Sequence, residues 1–234
     1  MGVCSSSPSL PPAYKPDNHV FAPTKTRDEA VAATSPFMLR KLDRLWDFFD
    51  VKNNGVVTKE DFALIEANLA ADPASTPASQ KRAHEALDWI WTNFWRGSDT
   101  AKVERADFVG TILHARTDPH VLKVEKEVQV PAAADAFFLL IDRNANGMCD
   151  EREYVAFLSA FTKVDATEAK RMFEAIDDNS DGLITRAEFT AAFMSFFFGE
   201  DEKSPAANLW GALEQPVVKV GQQASGWFSC VSFS

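Results

Sequence analysis

Two twelve-residue stretches constrain this chain more than anything else in it. From residue 142 the sequence reads DRNANGMCDERE, and from residue 177 it reads DDNSDGLITRAE. Each places oxygen-bearing side chains at alternate positions, a glycine at position 6 and a glutamate at position 12. Calcium takes six to eight hard oxygen ligands, and a twelve-residue turn supplies them from positions 1, 3, 5, 7, 9 and 12. Glycine at position 6 adopts a positive φ without steric cost. The closing glutamate offers two oxygens from the first turn of the next helix. In the first stretch the ligands would be Asp142, Asn144, Asn146, the Met148 carbonyl, Asp150 and Glu153. In the second they would be Asp177, Asn179, Asp181, the Leu183 carbonyl, Thr185 through water, and Glu188. Both satisfy D-x-[DN]-x-[DN]-G-x5-E at every constrained position.

Aligned on the acid before the next aromatic, two more such loops start at residues 50 and 96. The first offers Asp50, Asn54, the Val56 carbonyl, Thr58 and Asp61, with Gly55 at the bend. It departs from the pattern at Lys52 (position 3) and Asp61 (position 12). A lysine only donates hydrogen bonds, and its charge opposes a cation. The shorter Asp61 reaches with one oxygen, which favours six-coordinate magnesium over calcium. Weak or magnesium-preferring binding and no binding stay equally open there. The second loop has Arg96 and Ala101 where an acid and a glycine are wanted, and is read as inactive. Val103 keeps position 8, the apolar residue that pairs two loops through a short β-bridge. In the other pair Cys149 and Ile184 hold position 8, so Cys149 reads as a small buried apolar residue.

Helical periodicity flanks every loop. Leu39, Leu42, Leu45, Trp46 and Phe49 form one apolar stripe, and similar stripes recur three more times. The expectation is an all-α fold of four helix–loop–helix units, in two paired lobes forming one compact body. Residues 1–36 would be a leader without order, 37–117 the first pair, 118–199 the second, and 200–234 a closing segment and tail. Residues near Asp118 to Val130 would connect the pairs. Asp165 and Glu168 would form a capping box, and Gly199 would stop the last helix.

Acids outnumber bases 34 to 24, for a net charge of -10. That argues against nucleic acid as a partner and suits cations or basic partners. The 3 cysteines are far apart and form neither a disulfide framework nor a zinc cluster, which points to a reducing, cytoplasmic setting. MGVCSS fits the N-myristoylation pattern at Gly2, with Cys4 placed for palmitoylation. Two such chains would hold the protein firmly on the cytoplasmic face of a membrane, and one only marginally. An unmodified end is the alternative. His84, His114 and His120 are scattered with no catalytic grouping, so no enzyme is expected.

The loops place the chain beside the EF-hand superfamily. An inactive second hand, intact third and fourth loops, and the closing FFFGEDEKSPAANLWGAL resemble the sarcoplasmic calcium-binding proteins and calexcitin, over about Phe37 to Leu213. The resemblance implies metal at the third and fourth loops, and a segment around Trp210 packed back over the body. The function it implies is calcium binding, as intracellular buffer, sensor or both, with any protein target left open. Two alternatives stand beside it. One is an acyl switch like that of neuronal calcium sensors, although that family keeps the second hand and loses the first. The other is a luciferin binder resembling the photoproteins, with Trp89, Trp91 and Trp95 around a ligand in place of simple core packing.

Overall fold

Ser35 opens the main body as a helix cap: its hydroxyl accepts the Met38 amide at 3.2 Å, and Pro36 occupies the first helical position, where its missing N–H is harmless. The computed structural model describes residues 10–12, 27–95, 102–117, 119–162 and 165–213. Gly2, Cys4, Arg96, Ala101 and the tail lie outside the described residues, as do the side chains of His114 and His120.

Ten α-helices follow in order among the described residues. They are α1 (Arg27–Ala32), α2 (Pro36–Phe49), α3 (Lys59–Ala71), α4 (Pro77–Trp89), α5 (Arg105–Ala115), α6 (Pro119–Val124), α7 (Val130–Ile141), α8 (Glu151–Phe161), α9 (Ala166–Ile176) and α10 (Arg186–Phe198). Two short antiparallel ladders join the loops in pairs. β1 (Val56–Thr58) meets β2 (Lys102–Glu104) with Val57 opposite Val103, and β3 (Met148–Cys149) meets β4 (Ile184–Thr185) with Cys149 opposite Ile184. The position-8 residues therefore face each other across both pairs.

Several local expectations need correction. Within the stretch read as a connector, the described residues from Pro119 to Val130 are helical: α6 runs through a π-helical turn (Glu125–Gln129) into α7. Pro131 lacks an N–H and crowds the carbonyl four residues back, and the hydrogen-bond ladder slips one residue just before it. α1 forms inside the leader expected to lack order. Six residues cannot hold a helix alone, but α1 packs on α5 and buries Ala30. Asp165 caps α9 through the Thr167 and Glu168 amides at 2.8 and 3.0 Å. Glu168, instead of closing the expected capping box, accepts the Ala212 amide at 3.1 Å. Gly199 does end α10, with extended rather than left-handed backbone. Glycine is needed there for space, because a Cβ would lie 2.5 Å from the Ser195 carbonyl oxygen.

All helical units share one apolar core. Trp89, Trp91 and Trp95 are buried in it, and Trp95 stacks on Phe108 with centroids 4.3 Å apart. The closing segment, through a 3-10 turn at Pro205–Asn208, drives Trp210 into the middle. That ring lies 5.0 Å from Phe48 of α2, 5.2 Å from Phe137 of α7 and 5.9 Å from Phe193 of α10. Arg44 Nε donates to the Trp210 carbonyl at 2.8 Å, and the Tyr154 hydroxyl to the Leu209 carbonyl at 3.4 Å. Gly211 follows at φ +104, where a Cβ would strike the Arg44 guanidinium.

Candidate metal centre

The third loop folds around its own oxygens. Asp142 accepts the Asn146 amide on Oδ1 at 3.1 Å and the Gly147 amide on Oδ2 at 2.9 Å. Asn144 Oδ1 accepts the Asn146 amide and Asn146 Oδ1 the Met148 amide, each at 2.9 Å. Asp150 caps α8 through the Glu153 amide at 2.9 Å. Glu153 reaches back: Oε2 takes the Asp150 amide at 3.2 Å, and Oε1 takes the Arg143 and Asn144 amides at 3.1 Å each. One carboxylate thus spans both ends of the loop.

The fourth loop repeats the arrangement. Asp177 takes the Asp181 and Gly182 amides, Asn179 the Asp181 amide, and Asp181 the Leu183 amide. Glu188 Oε2 accepts the Thr185 amide at 2.8 Å and its hydroxyl at 2.7 Å, while Oε1 reaches the Asn179 amide at 3.5 Å. The two closing glutamates differ in setting. Burial, with the acids Asp150 and Asp142 adding to it, holds the Glu153 carboxyl above its ordinary pKa against the pull of two amides. Burial also opposes the Glu188 charge, but the Thr185 hydroxyl and three backbone amides outweigh it and hold that carboxyl below the usual value.

The first loop has the same backbone course despite its departures. Position 4 is left-handed in all three loops, at Asn53, Ala145 and Ser180, and position 6 has positive φ at Gly55, Gly147 and Gly182. Asp50 takes the Asn54 and Gly55 amides, and Asn54 Oδ1 takes the Val56 amide. Asp61, fully buried, takes the Lys52 amide on Oδ1 at 3.1 Å and the Thr58 amide and hydroxyl on Oδ2. Asp61 therefore does from a shorter side chain what Glu153 and Glu188 do. The Lys52 ammonium pairs with Glu60 on the surface.

Among the described residues no three His, Cys, Asp or Glu side chains converge as a metal cluster. What the third and fourth loops offer is a mixed set of carboxylate, amide, hydroxyl and main-chain oxygens with no nitrogen or sulfur donor. That set fits calcium or magnesium and not a softer metal. The Cys149 thiol, in β3, is fully buried, and its pKa is pushed far up, chiefly by burial. His84 is exposed and pairs with Glu66. Sequence reasoning passed over Arg143 at position 2, whose side chain leaves the loop for the other pair of helices. Its only signal was a long basic residue where neither the cation nor the loop needs one.

A cavity of about 490 Å³ lies between the two pairs, against Phe94, Trp95, Phe108, Ile112, Val130 and Phe198. Among the polar groups at its edge are Arg116 and Glu125. The Tyr154 ring is elsewhere, buried against Phe157 and Phe173.

Comparison with known proteins fits this geometry. Residues 169–194, which hold the fourth loop, match the EF hand family profile. That stretch is an EF hand. The chain is 26% identical over 190 residues to a luciferin-binding protein of Renilla reniformis, covering 79% of this chain and 99% of that one. It is 27% identical over 180 residues to a sarcoplasmic calcium-binding protein of Perinereis vancaurica tetradentata, covering 76% and 99%. The crystal structure of a coelenterazine-binding protein from Renilla muelleri, in its calcium-loaded apo form, superposes with a TM-score of 0.62 at 22% identity, covering 80% of this chain and 99% of that one. That likeness speaks for the fold of the four hands.

Proposed function

We propose that this EF-hand chain binds two calcium ions, one in the third loop and one in the fourth, and acts chiefly as a calcium buffer. The observation that carries this is the closing glutamate of each loop. Glu153 and Glu188 project from the first turn of an exit helix and fold back over their own loops, so one charge governs both ends. Asp142, Asn144, Asn146, the Met148 carbonyl, Asp150 and Glu153 would hold one ion. Asp177, Asn179, Asp181, the Leu183 carbonyl, Thr185 and Glu188 would hold the other. The ion supplies positive charge that lets these oxygens crowd together without repulsion. Such loops bind calcium between roughly 10⁻⁸ and 10⁻⁵ M. The first loop, with Asp61 as its latch and Lys52 turned to Glu60, is assigned no strong site.

The buffer role is supported by Trp210. A sensor hand must open an apolar groove to a target, and here Trp210 of the closing segment is buried at the centre of the shared core among Phe48, Phe137 and Phe193. Calorimetric titration should give two strong sites per chain, and an apolar dye should show no rise in fluorescence when calcium is added. Absence of calcium uptake at micromolar supply would remove the reading, and a calcium-dependent rise in dye fluorescence would make the protein a sensor.

The cavity favours a second reading, in which a flat apolar small molecule sits between the pairs. Its volume falls within the roughly 300–1,000 Å³ of ligand pockets, and two similar proteins are named for binding luciferin or coelenterazine. Coelenterazine mixed with the protein should then co-elute with it on gel filtration. A chromophore-free protein peak refutes this second reading and leaves the calcium assignment intact.

A further inference from the structure

The third loop is fastened to the other pair of hands through its second residue. Arg143 Nη1 lies 2.9 Å from Asp72 Oδ1, and Nη2 lies 3.2 Å from the Leu69 carbonyl. Both partners sit at the C-terminal end of α3, where a cation also favours the helix dipole. The Arg143 carbonyl accepts Arg82 of α4. The Arg143 side chain is only 11% exposed and that of Asp72 27%, so the pair is largely shielded from solvent. The Arg143 backbone amide donates to Glu153. One residue therefore links the latch of the third loop to the end of α3.

α3 is itself the exit helix of the first loop, and its first turn carries Asp61, which takes the Lys52 amide. It also packs on α8, the exit helix that carries Glu153, with Asn68 Nδ2 donating to the Ala160 carbonyl at 2.8 Å. The first and third loops thus stand at two ends of a continuous connection. The fourth loop is built differently: its second residue is Asp178, which is exposed.

We propose that Arg143 is a positioning residue that couples the first hand to the third. Its clamp on Asp72 and Leu69 holds the Arg143 and Asn144 amides where Glu153 closes on them, so the third site depends on α3 and the fourth does not. By linkage, an ion in the third loop would stiffen α3 and the first loop in return. The proposal rests on reading the third and fourth loops as calcium sites.

The test is a calcium titration of the full chain followed through the Gly147 and Gly182 amide resonances, each bonded to the first aspartate of its own loop. Wild type is compared with Arg143→Ala, Asp72→Asn and the double variant. Asp72→Asn keeps an oxygen to accept the Ala74 amide of the linker turn. Each single variant should weaken the third site by about 10-fold, the low end of what losing an outer partner of a ligand costs, because the Arg143 amide on Glu153 is kept but no longer held in place. The double should be no worse than Arg143→Ala, and the fourth site should not move. An unchanged third site, equal weakening of both sites, or additive effects overturns the coupling. Amide hydrogen exchange in metal-free protein reads the clamp independently of calcium. Arg143 and Asn144 should exchange faster in Asp72→Asn, and unchanged exchange refutes the clamp. If wild type binds no calcium while Asp72→Asn still speeds exchange at Arg143 and Asn144, the calcium reading alone falls.

Discussion

Glu153→Gln is expected to abolish strong calcium binding at the third loop and to leave the fourth loop as it was. The effect is expected to exceed the roughly 10–100-fold that outer partners control, because three contributions disappear together. The loop loses one of its three ligand carboxylates, Asp142, Asp150 and Glu153. It loses the second oxygen that a closing glutamate gives the ion. Its new NH2 group, if turned toward Asp150, faces the donating amide that Glu153 Oε2 now accepts. The remaining amide oxygen can still take the Arg143 and Asn144 amides. The metal-free protein should therefore change by only about 1 kcal/mol, the scale of one hydrogen bond. A titration of the variant should show one strong site in place of two, and Glu188→Gln should show the mirror result. Two strong sites persisting in Glu153→Gln contradict the assignment.

Trp210→Ala should produce the largest loss of stability among single substitutions in the closing segment. The ring is 1% exposed and lies within 5.9 Å of three phenylalanines from three helices. Removing a buried Trp side chain costs about 3–5 kcal/mol. For a chain of this size that lowers the melting temperature by roughly 6–20 °C. Among the described residues the indole Nε1 has no hydrogen-bond partner, so the expected loss is one of packing. The backbone bond from Arg44 to the residue-210 carbonyl survives the substitution. Calorimetric melting of metal-free protein checks this, and a shift under about 2 °C would show that the segment does not join the pairs. The variant should also bind more of an apolar dye than the wild type does.

The loops were legible because ligand chemistry leaves few residue types at each position. Asp142, Gly147 and Glu153 could be named from spacing alone, and position 8 announced that Val57 would meet Val103 and Cys149 would meet Ile184. The all-α architecture followed from stripes such as Leu42, Leu45, Trp46 and Phe49. Long-range partners were not legible. Nothing local tells Arg143 to leave its loop for Asp72, or Glu168 to prefer the Ala212 amide over its own helix cap. The direction of Lys52 was hidden for the same reason: position 3 suggests a charge facing the ion, while Glu60 on the next helix draws it outward. α6 was missed because its stretch lacks a strong apolar stripe. α1 was missed because six residues gain helicity only from the surface they pack on.

The most direct test is a crystal structure grown in calcium. The account predicts one density peak in the third loop and one in the fourth, each about 2.3–2.6 Å from its oxygens. Both Glu153 and Glu188 should have swung two oxygens onto the peak. Ordered loops with calcium present in the crystal but bound elsewhere would contradict the central claim.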